Sequence, residues 1–510
     1  MPEQRIGSRF LITVAVMSAT VMQVLDTTIV NVALPHMQGE LGANPDQITW
    51  VLTSYLVASG IFMPLTGFFT DRLGQKRYLM ISIVGFVIAS ALCGISTSLF
   101  EIVTFRLLQG VFGAGLSPIS QSIMVNTFPH EQRGRAMAIW GLGIMVGPIL
   151  GPTLGGWLTE TLNWRWLFYI NVPVGIFSMA LTWAAVPETA RRPRTTDWTG
   201  LVLIALGIGG LQFVLDRGNQ ENWFDSNMIK VLSLLAVFGF VGFFWHSFTS
   251  KKEKLFDLRI FKDRNFATAC TLMFVLGLSL YGTLVLQPLM LEGLLGYPVL
   301  TTGLVMAPRG VASAISMFMV GRLITRVEPR NLVFTGIVLS AIGTWFMTHY
   351  NLDISVPWVV WPIVIQGFGI GLIFVPLATV AYATLPNDKS AEAAGMFSLL
   401  RTIGSSIGIS IVSTVVSRNS QAAWNQLGGH LTASNPALHD FLGRLGLSLH
   451  SPEAGAVLGM LLGREGRMIG FVDAFMLIFV SFLVMLPLIF IMKRVNRKSG
   501  GRVSAASLAE

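Results

Sequence analysis

Long apolar segments follow one another along nearly the whole chain and are separated by short polar connections. A helix needs about 20 apolar residues to cross a bilayer, and fourteen such segments begin near residues 10, 47, 78, 101, 135, 166, 199, 229, 266, 302, 331, 358, 393 and 470. Their apolar residues do not alternate with polar ones, as the strands of a membrane barrel would. The pattern predicts an all-α integral membrane protein with fourteen spans.

The composition agrees with this prediction, since 53% of the 510 residues are hydrophobic and only 12% are charged. The formal charge is +9. Most Lys and Arg residues fall in alternate connections, on the side that also holds both termini, and this asymmetry is the positive-inside rule. The basic charge therefore indicates that both termini are cytoplasmic and that this side contacts an anionic lipid bilayer surface, not a nucleic-acid partner.

Two charged connections divide the spans into groups. They follow spans 6 and 8, and they separate an N-terminal six-helix bundle (residues 1–190) from a C-terminal six-helix bundle (residues 265–510). The two extra spans between them, with their flanking loops, occupy residues 191–264. Transporters are commonly built from two such halves, with the substrate site at their interface. A polar segment at about 416–469 is predicted to be a long external loop with room for short helices.

The least expected residue is Asp26, deep inside the first span. A carboxylate near the bilayer centre costs about 3 kcal/mol on insertion scales. A helical period places Gln23, Thr27 and Asn31 on the same face, so this polar stripe is predicted to face the interior of the protein. Two interpretations are open. Either Asp26 binds a proton or a cationic substrate, or it is a hydrogen-bond node that stabilises the fold.

A buried cation is available at a similar depth. Arg106 lies in the fourth span and shares a helical face with Gln109 and Gly110. Because arginine keeps its charge in proteins, it would favour the charged form of a nearby carboxylate and would not carry the proton itself. Asp26 and Arg106 are therefore the predicted pair for proton coupling or substrate binding, with a structural salt bridge as the alternative.

The second half holds two intramembrane arginines, Arg309 and Arg401, and neither has an acid nearby on its own helix. Each shares a helical face with small or hydroxyl residues, which predicts that both face the bundle interior or a packed seam. They are candidates for binding anionic groups or for structural pairing. With Gln366 of the twelfth span added, the predicted cavity lining is Gln23, Thr27, Asn31, Gln109, Arg309, Gln366 and Arg401.

The fifth span carries a row of glycines at every fourth residue with two prolines beside it, namely Gly143, Gly147, Gly151, Gly155, Pro148 and Pro152. Small residues at this spacing form a groove in which helices pack backbone to backbone. Prolines remove helical hydrogen bonds and bend the helix. This motif is predicted to belong to an element that rocks between two states, with a static packing groove as the alternative.

The connection after span 2, GFFTDRLGQKR, places one acid among several bases at the inner surface. Asp71 is predicted to pair with a neighbouring helix in one of two states, as a latch. The alternative is that these are ordinary positive-inside residues. A weak copy, GRLITRVEPRN, follows span 10 and has Thr325 in place of the acid. The predicted cytoplasmic gate comprises Gly67, Asp71, Arg72, Gly74, Lys76 and Arg77.

Five segments together carry a resemblance to a known family: LDTTIVNVALP in span 1, GFFTDRLGQKR after span 2, RLLQG in span 4, GPILGPTLGG in span 5 and LDRGNQENWF after span 7. They resemble the major facilitator superfamily, and within it the fourteen-span drug:H+ antiporters of the EmrB/QacA type. The resemblance covers essentially the whole chain. It implies the major facilitator fold, efflux of hydrophobic or amphipathic drugs through a bacterial inner membrane, proton coupling at Asp26 assisted by Arg106, and gating at Asp71 and Arg72.

No phosphate-binding loop, hydrolase motif or His/Cys cluster with metal-ligand spacing occurs in the sequence. We therefore expect no catalytic residue, metal or cofactor, and expect the proton gradient to supply the energy. The resemblance to EmrB-like permeases also implies a periplasmic adaptor and an outer-membrane channel as partners. The alternatives are a dedicated exporter of one metabolite or siderophore-like compound, and a non-transporting membrane receptor or scaffold.

Overall fold

The computed structural model describes residues 6–43, 45–129, 132–191, 197–249, 257–432, 434–448 and 450–492. These residues form helices and connections, without a strand among them. A helix satisfies its backbone groups within one segment, as an apolar surrounding requires. The helices are α1 (Ile6–Glu40), α2 (Pro45–Ile48), α3 (Trp50–Phe62), α4 (Thr66–Leu73), α5 (Gln75–Ile95), α6 (Leu99–Gly113), α7 (Leu116–Thr127), α8 (Arg133–Thr161), α9 (Trp166–Tyr169), α10 (Asn171–Ala185), α11 (Trp198–Arg217), α12 (Asn227–Thr249), α13 (Arg264–Gly293), α14 (Val299–Leu323), α15 (Pro329–Met347), α16 (Val356–Ala381), α17 (Ser390–Gly428), α18 (Pro436–Arg444) and α19 (Pro452–Ile489).

Thirteen helical segments of the described chain are long and apolar enough to cross a membrane. Three of them are composite, because α3 continues into α4 through a 3-10 turn, α6 continues into α7, and α9 into α10. Helix α8, with 29 residues, is long enough to be a fourteenth span. The predicted order of spans is confirmed, and all but the last begin within a few residues of the predicted position.

The outer segment predicted as a loop at 416–469 is helical over most of its length. Helix α17 continues to Gly428, and α19 already begins at Pro452. Both helices are therefore much longer than the roughly 20 residues that a bilayer requires. Gly463 and Gly466 of α19 lie against Trp424 of α17. The glycines that give this segment a loop-like composition are residues that let the two helices pack side by side.

The two bundles are joined at one end. We call this the inner end, since it holds the N-terminal end of α1 and is cytoplasmic in the predicted orientation; the opposite end is the outer end. Ser390 of α17 makes hydrogen bonds of 2.9 Å with both Ser122 and Asn126 of α7. Arg133 of α8 donates to the carbonyl oxygen of Tyr382 after α16 at 3.3 Å. These contacts link α1–α10 to α13–α19 at the inner end.

The inserted helix pair is in contact with both bundles. Asp216 of α11 accepts a hydrogen bond from the Thr53 hydroxyl of α3. Gln212, one turn earlier, donates to the Ser406 hydroxyl of α17 at 2.6 Å. Helix α11 thus covers the junction between α3 and α17, with α12 packed on its other side. At the other junction, α8 and α14 contact each other directly.

Candidate functional site

The polar centre of the first bundle is built around Asp26 of α1, whose side chain is fully buried. Its carboxylate accepts three hydrogen bonds from side chains. Arg106 Nη1 donates at 2.6 Å, Gln109 Nε2 at 2.9 Å and Asn171 Nδ2 at 3.0 Å. A buried charge is tolerated when it is paired and hydrogen-bonded in this way. The carboxylate therefore connects α1 with α6 and α10, and the predicted proximity of Asp26 and Arg106 is confirmed.

Arg106 is enclosed on all sides. Its Nε donates to the backbone carbonyl oxygen of Val51 at 3.0 Å, and Nη1 also donates to Gln109 Oε1 at 2.8 Å. The guanidinium carbon lies 4.5 Å from the ring centre of Tyr55 and 5.7 Å from that of Phe168. Aromatic faces attract a cation. The charge of Arg106 is therefore balanced by one carboxylate and by neutral groups that have fixed positions.

Two residues of this centre are absent from the predicted site. Asn171 begins α10 and donates both to Asp26 and to the Ser90 hydroxyl of α5, each at 3.0 Å. Ser90 in turn donates to a backbone carbonyl oxygen at 2.9 Å. Asn171 stands inside the sixth predicted span, just before an apolar run. A polar residue at such a position could have been recognised in the sequence as a candidate partner of Asp26.

The polar stripe of α1 does not form one surface. Gln23 is buried, and its Oε1 has no hydrogen-bond partner among the described residues. The Thr27 hydroxyl donates to a carbonyl oxygen of its own helix, and Asn31 is exposed. The prediction that Gln109 lines a cavity is wrong, because this side chain is fully buried inside the first bundle. A helical period shows that a face points inward, but it does not distinguish a bundle interior from a cleft between bundles.

The second bundle has a comparable centre. Arg309 Nη2 of α14 donates to Gln366 Oε1 at 2.6 Å. Gln366 donates to the hydroxyls of Thr283 and Thr344, both at 3.1 Å. Within the described residues, Nε and Nη1 of Arg309 have no hydrogen-bond partner. Arg309 and Gln366 are buried inside this bundle, so their predicted place in the cavity lining is wrong for the same reason as that of Gln109.

The two centres rest on matching helix contacts. In each, the glutamine is followed by a glycine that approaches the backbone of its bundle's second span. A Cβ atom on Gly110 would lie 2.5 Å from the Tyr55 carbonyl oxygen, and one on Gly367 would lie 2.5 Å from that of Arg309. The halves therefore share a scaffold, but among the described residues only the first centre contains a carboxylate.

Arg401 differs from the other buried arginines because it faces the junction between the bundles. This residue of α17 is half-buried, and its guanidinium carbon lies 6.0 Å from the ring centre of Trp140 on α8. Trp140 is fully buried and stacks on Phe374 of α16, with ring centroids 5.7 Å apart. Arg401 thus lies at the contact between α17 and α8, and its predicted place in a cavity lining stays a prediction.

The glycine row of α8 packs on α1. A Cβ atom on Gly147 would lie 2.4 Å from the Val24 side chain, and one on Gly151 would lie 2.3 Å from the Thr28 hydroxyl oxygen. Gly143 packs equally closely on the same helix. The Thr28 hydroxyl also donates to the Gly147 carbonyl oxygen at 3.1 Å. The row therefore holds the helix of the buried carboxylate at backbone distance.

The remaining residues of this motif lie in the same helix. Gly155 is buried, and its carbonyl oxygen accepts a hydrogen bond from the Thr159 hydroxyl at 2.7 Å. The side chains of Pro148 and Pro152 lie outside the described part of the structure. The predicted rocking of this element stays a prediction.

The first part of the predicted gate faces the second bundle. A Cβ atom on Gly67 would lie 2.9 Å from the Cα atom of Glu392 on α17. Glu392, which is buried and absent from the predicted gate, pairs with Lys389 at 3.6 Å, and Lys389 pairs with Asp257 at 3.1 Å. Partial burial raises the pKa of Asp257, but hydrogen bonds from the Arg259 backbone N–H and from Lys389 outweigh it and hold that pKa below its ordinary value.

The second part of the gate stays within the first bundle. Gly74 has a φ of +85°, a conformation that glycine adopts without strain. Lys76 donates to the Trp183 carbonyl oxygen of α10 at 2.7 Å, and Arg77 pairs with Glu188 at 3.8 Å. These contacts hold the start of α5 against the end of α10. The two other predicted gate residues lie on α4 between the two parts: Asp71 and Arg72.

Residues 16–409 match the Major Facilitator Superfamily, and the chain belongs to this family. It is 36% identical over 497 residues to the fatty acid resistance protein FarB of Neisseria gonorrhoeae. This alignment covers 96% of this chain and 97% of FarB. It is also 34% identical over 495 residues to the multidrug export protein EmrB of Escherichia coli strain K12, in an alignment that covers 96% of each chain.

Two solved structures share the fold. The human organic anion transporter MFSD10 (TETRAN) matches with a TM-score of 0.61 and 14% identity, over 93% of this chain and 99% of that one. The proton:xylose symporter XylE matches with a TM-score of 0.60 and 13% identity, over 95% and 97% of the two chains. The predicted major facilitator fold is confirmed, and the protein is a many-span membrane transporter and not an enzyme.

Proposed function

We propose that this protein exports hydrophobic or amphipathic drugs across the bacterial inner membrane in exchange for protons, by alternating access between its two bundles. The family membership and the name of the EmrB relative support export of drugs. The observation that carries the proton coupling is the sealed pair of Asp26 and Arg106, 2.6 Å apart in the first bundle. Intramembrane carboxylates are costly, and those that persist commonly serve proton or ion pathways.

Proton binding at Asp26 changes the charge balance of this centre. The ionised carboxylate neutralises Arg106, whereas the protonated one leaves Arg106 as a buried cation with only neutral partners. Removing one partner of a buried ion pair costs about 3–5 kcal/mol. The cost is smaller where water reaches the centre, so proton binding favours a conformation in which the centre is hydrated over the sealed one. Proton binding therefore drives a conformational change.

Helix α1 connects this centre to the junction between the bundles. One face of α1 carries Asp26 and binds α6 and α10, while Val24 and Thr28 on the opposite face pack on the glycine row of α8. Helix α8 in turn packs along α14 of the second bundle. Weakening the Asp26 contacts releases α1 from α6 and α10, and α8 passes this movement to the second bundle.

The substrate binds in this proposal between the bundles, in contact with Arg401 and Trp140 at their junction and with Thr27 and Asn31 of the α1 stripe. In the cell, both termini are cytoplasmic, and a periplasmic adaptor with an outer-membrane channel receives the drug. The outer extensions of α17 and α19 supply a surface for that adaptor, because they are too long to be contained in a bilayer.

A second candidate substrate is a fatty acid, as the name of the FarB relative suggests. The half-buried Arg401 at the bundle junction favours an anionic amphipath of this kind, because it can pair with a carboxylate. The positive charge of Arg401 would attract a fatty-acid anion and repel a cationic drug at the same site.

Proteoliposomes with an imposed pH gradient test both candidates. Drug movement and internal pH are followed together after addition of a fluorescent cationic drug or of a fluorescent fatty acid. We expect movement of one of these compounds against its gradient, with a matching proton flux that collapses when an uncoupler is added. A compound that moves without protons contradicts the antiport mechanism. If neither compound produces any flux, the function as an exporter of amphipaths is wrong, and a receptor or scaffold role is favoured.

A further inference from the structure

The inner end of the junction between α8 and α14 contains a crevice of about 500 Å³. Three of the ten residues that line it are arginines. Arg135 belongs to α8 in the first bundle, while Arg322 and Arg326 lie at and just beyond the inner end of α14 in the second. No acidic residue of the described chain lines the crevice. When the two bundles are joined at this end, positively charged side chains from both of them therefore line the same crevice.

The crevice changes from basic to apolar with depth. Ile139 and Leu142 lie one and two turns farther into α8 than Arg135, about 6 and 10 Å along the helix axis. Phe318 lies one turn farther into the membrane than Arg322, and 59% of its surface is exposed. The charged groups are therefore at the level of lipid headgroups and the apolar wall is at the level of acyl chains.

The two helices pack closely beside the crevice. A Cβ atom on Gly134 of α8 would lie 2.4 Å from the side chain of Ile324, and one on Gly321 of α14 would lie 3.1 Å from Ala138. Gly321 belongs to the weak copy of the gate motif, so this contact is the counterpart of Gly67 against α17. The crevice exists in this form because the bundles are joined at the inner end.

The two copies of the gate motif differ in charge. Around the first copy, buried Glu392 balances a nearby lysine and provides a negative charge at the contact between the bundles. At the second copy, Thr325 lines the crevice where an acid would be expected, and three arginines line the same crevice. Cations that are crowded together in a partly apolar surrounding favour binding of an anion.

We propose that this crevice binds the anionic headgroup of a phospholipid from the membrane leaflet at the inner end, and that this lipid stabilises the conformation joined at that end. The headgroup phosphate supplies a negative charge at the position where the second copy of the gate motif has Thr325 instead of an acid. One acyl chain lies along Ile139, Leu142 and Phe318. Because Arg135 and Arg322 belong to different bundles, separation of the bundles takes the site apart, and the lipid binds the joined conformation more tightly.

Native mass spectrometry of the purified full-length protein tests the binding site. The protein is titrated with phosphatidylglycerol or with phosphatidylcholine. The double variant Arg135→Gln/Arg322→Gln is compared with a matched control, Arg330→Gln, whose guanidinium lies over Phe490 at the same end and does not line the crevice. We expect the double variant to bind phosphatidylglycerol at least tenfold more weakly, and the control to bind it as the wild type does. Equal binding by all three proteins overturns the site.

Two further arms separate the source of the anion and the effect on conformation. A large excess of inorganic phosphate should leave phosphatidylglycerol bound, and its displacement would show a general phosphate site instead of a lipid site. Spin labels at the inner ends of the two bundles report their separation in nanodiscs. Phosphatidylglycerol should shorten this distance relative to phosphatidylcholine in the wild type and not in the double variant. An unchanged distance in the wild type overturns the conformational effect. Neither readout depends on transport, so failure here is distinguishable from failure of the proposed export function.

Discussion

Substitution Asp26→Asn is the sharpest perturbation of the proposed proton site. The asparagine side chain has nearly the same shape but carries no charge and offers one acceptor oxygen instead of two. In the wild type, donors from Arg106, Gln109 and Asn171 all reach the carboxylate at 2.6–3.0 Å. The new amide nitrogen is itself a donor and would point at one of these donor groups. Arg106 would also lose its counter-ion.

The expected cost follows from this geometry. Arg106 is 1% exposed, so water does not compensate the lost carboxylate. Removing one partner of such a pair destabilises a protein by about 3–5 kcal/mol. This is a large fraction of the roughly 5–15 kcal/mol by which proteins are typically stable. The single variant should therefore unfold at a clearly lower temperature, even if it inserts into the membrane.

A second variant separates stability from proton coupling. Asp26→Asn/Arg106→Gln removes both charges and keeps a polar amide at both positions, the glutamine being shorter than the arginine it replaces. Removing both partners leaves no uncompensated buried charge, and such a charge is the main cost of the single substitution. We therefore expect the double variant to be more stable to heat in detergent than the single variant and to remain without drug-driven proton flux, because it has no carboxylate at this centre.

The assay is proton flux in proteoliposomes, with drug added at equal amounts of reconstituted protein. Drug-dependent proton flux should fall to background in both variants. Wild-type flux in either variant would refute proton coupling at Asp26. Recovery of coupled transport together with stability in the double variant would show that the ion pair serves only to hold α1 against α6.

Two further predictions concern packing and pH. Gly147→Ala should lower the melting temperature by an amount corresponding to about 1–3 kcal/mol, because its Cβ atom would lie 2.7 Å from the Val24 carbonyl oxygen. The control Gly156→Ala should not lower it, since nothing lies within 4 Å of that Cβ position. Equal effects of the two substitutions would contradict the packing argument. Asp257 stabilises the folded state above about pH 4, and because its pKa falls on folding, this contribution is lost as the pH drops through the lowered value. Asp257→Asn should therefore flatten the acid limb of thermal stability against pH; an unchanged limb would exclude the ion pair with Lys389.

Much of the architecture follows from local sequence pattern. The positions of the spans, the division into two halves and the basic inner end depend on apolar runs and on charges next to them, which are properties of contiguous residues. The close approach of Asp26 and Arg106 was also predictable, because two charged residues at similar depth in apolar helices have few other partners. The glycine row of α8 indicated backbone packing for the same reason, although not its partner α1.

The limits of the pattern are visible at residues whose role depends on several helices at once. Gln109 and Gln366 were expected in a cavity but are buried inside separate bundles. Glu392 looks in the sequence like an ordinary acid near a helix start, and only the fold places it against Gly67. The outer halves of α17 and α19 contain many small and polar residues, and their pairing, which is not local, makes them helical.

Local sequence pattern was enough to predict a many-span transporter fold with a buried carboxylate at Asp26 and a basic inner end, because insertion into a bilayer is decided segment by segment. The packing of the helices, in contrast, places Asn171 at the Asp26 centre, divides the contacts of the gate motif between two partners, and brings arginines of both bundles together between α8 and α14. Those facts depend on the rotation and relative depth of several helices, which the hydropathy of one helix does not contain.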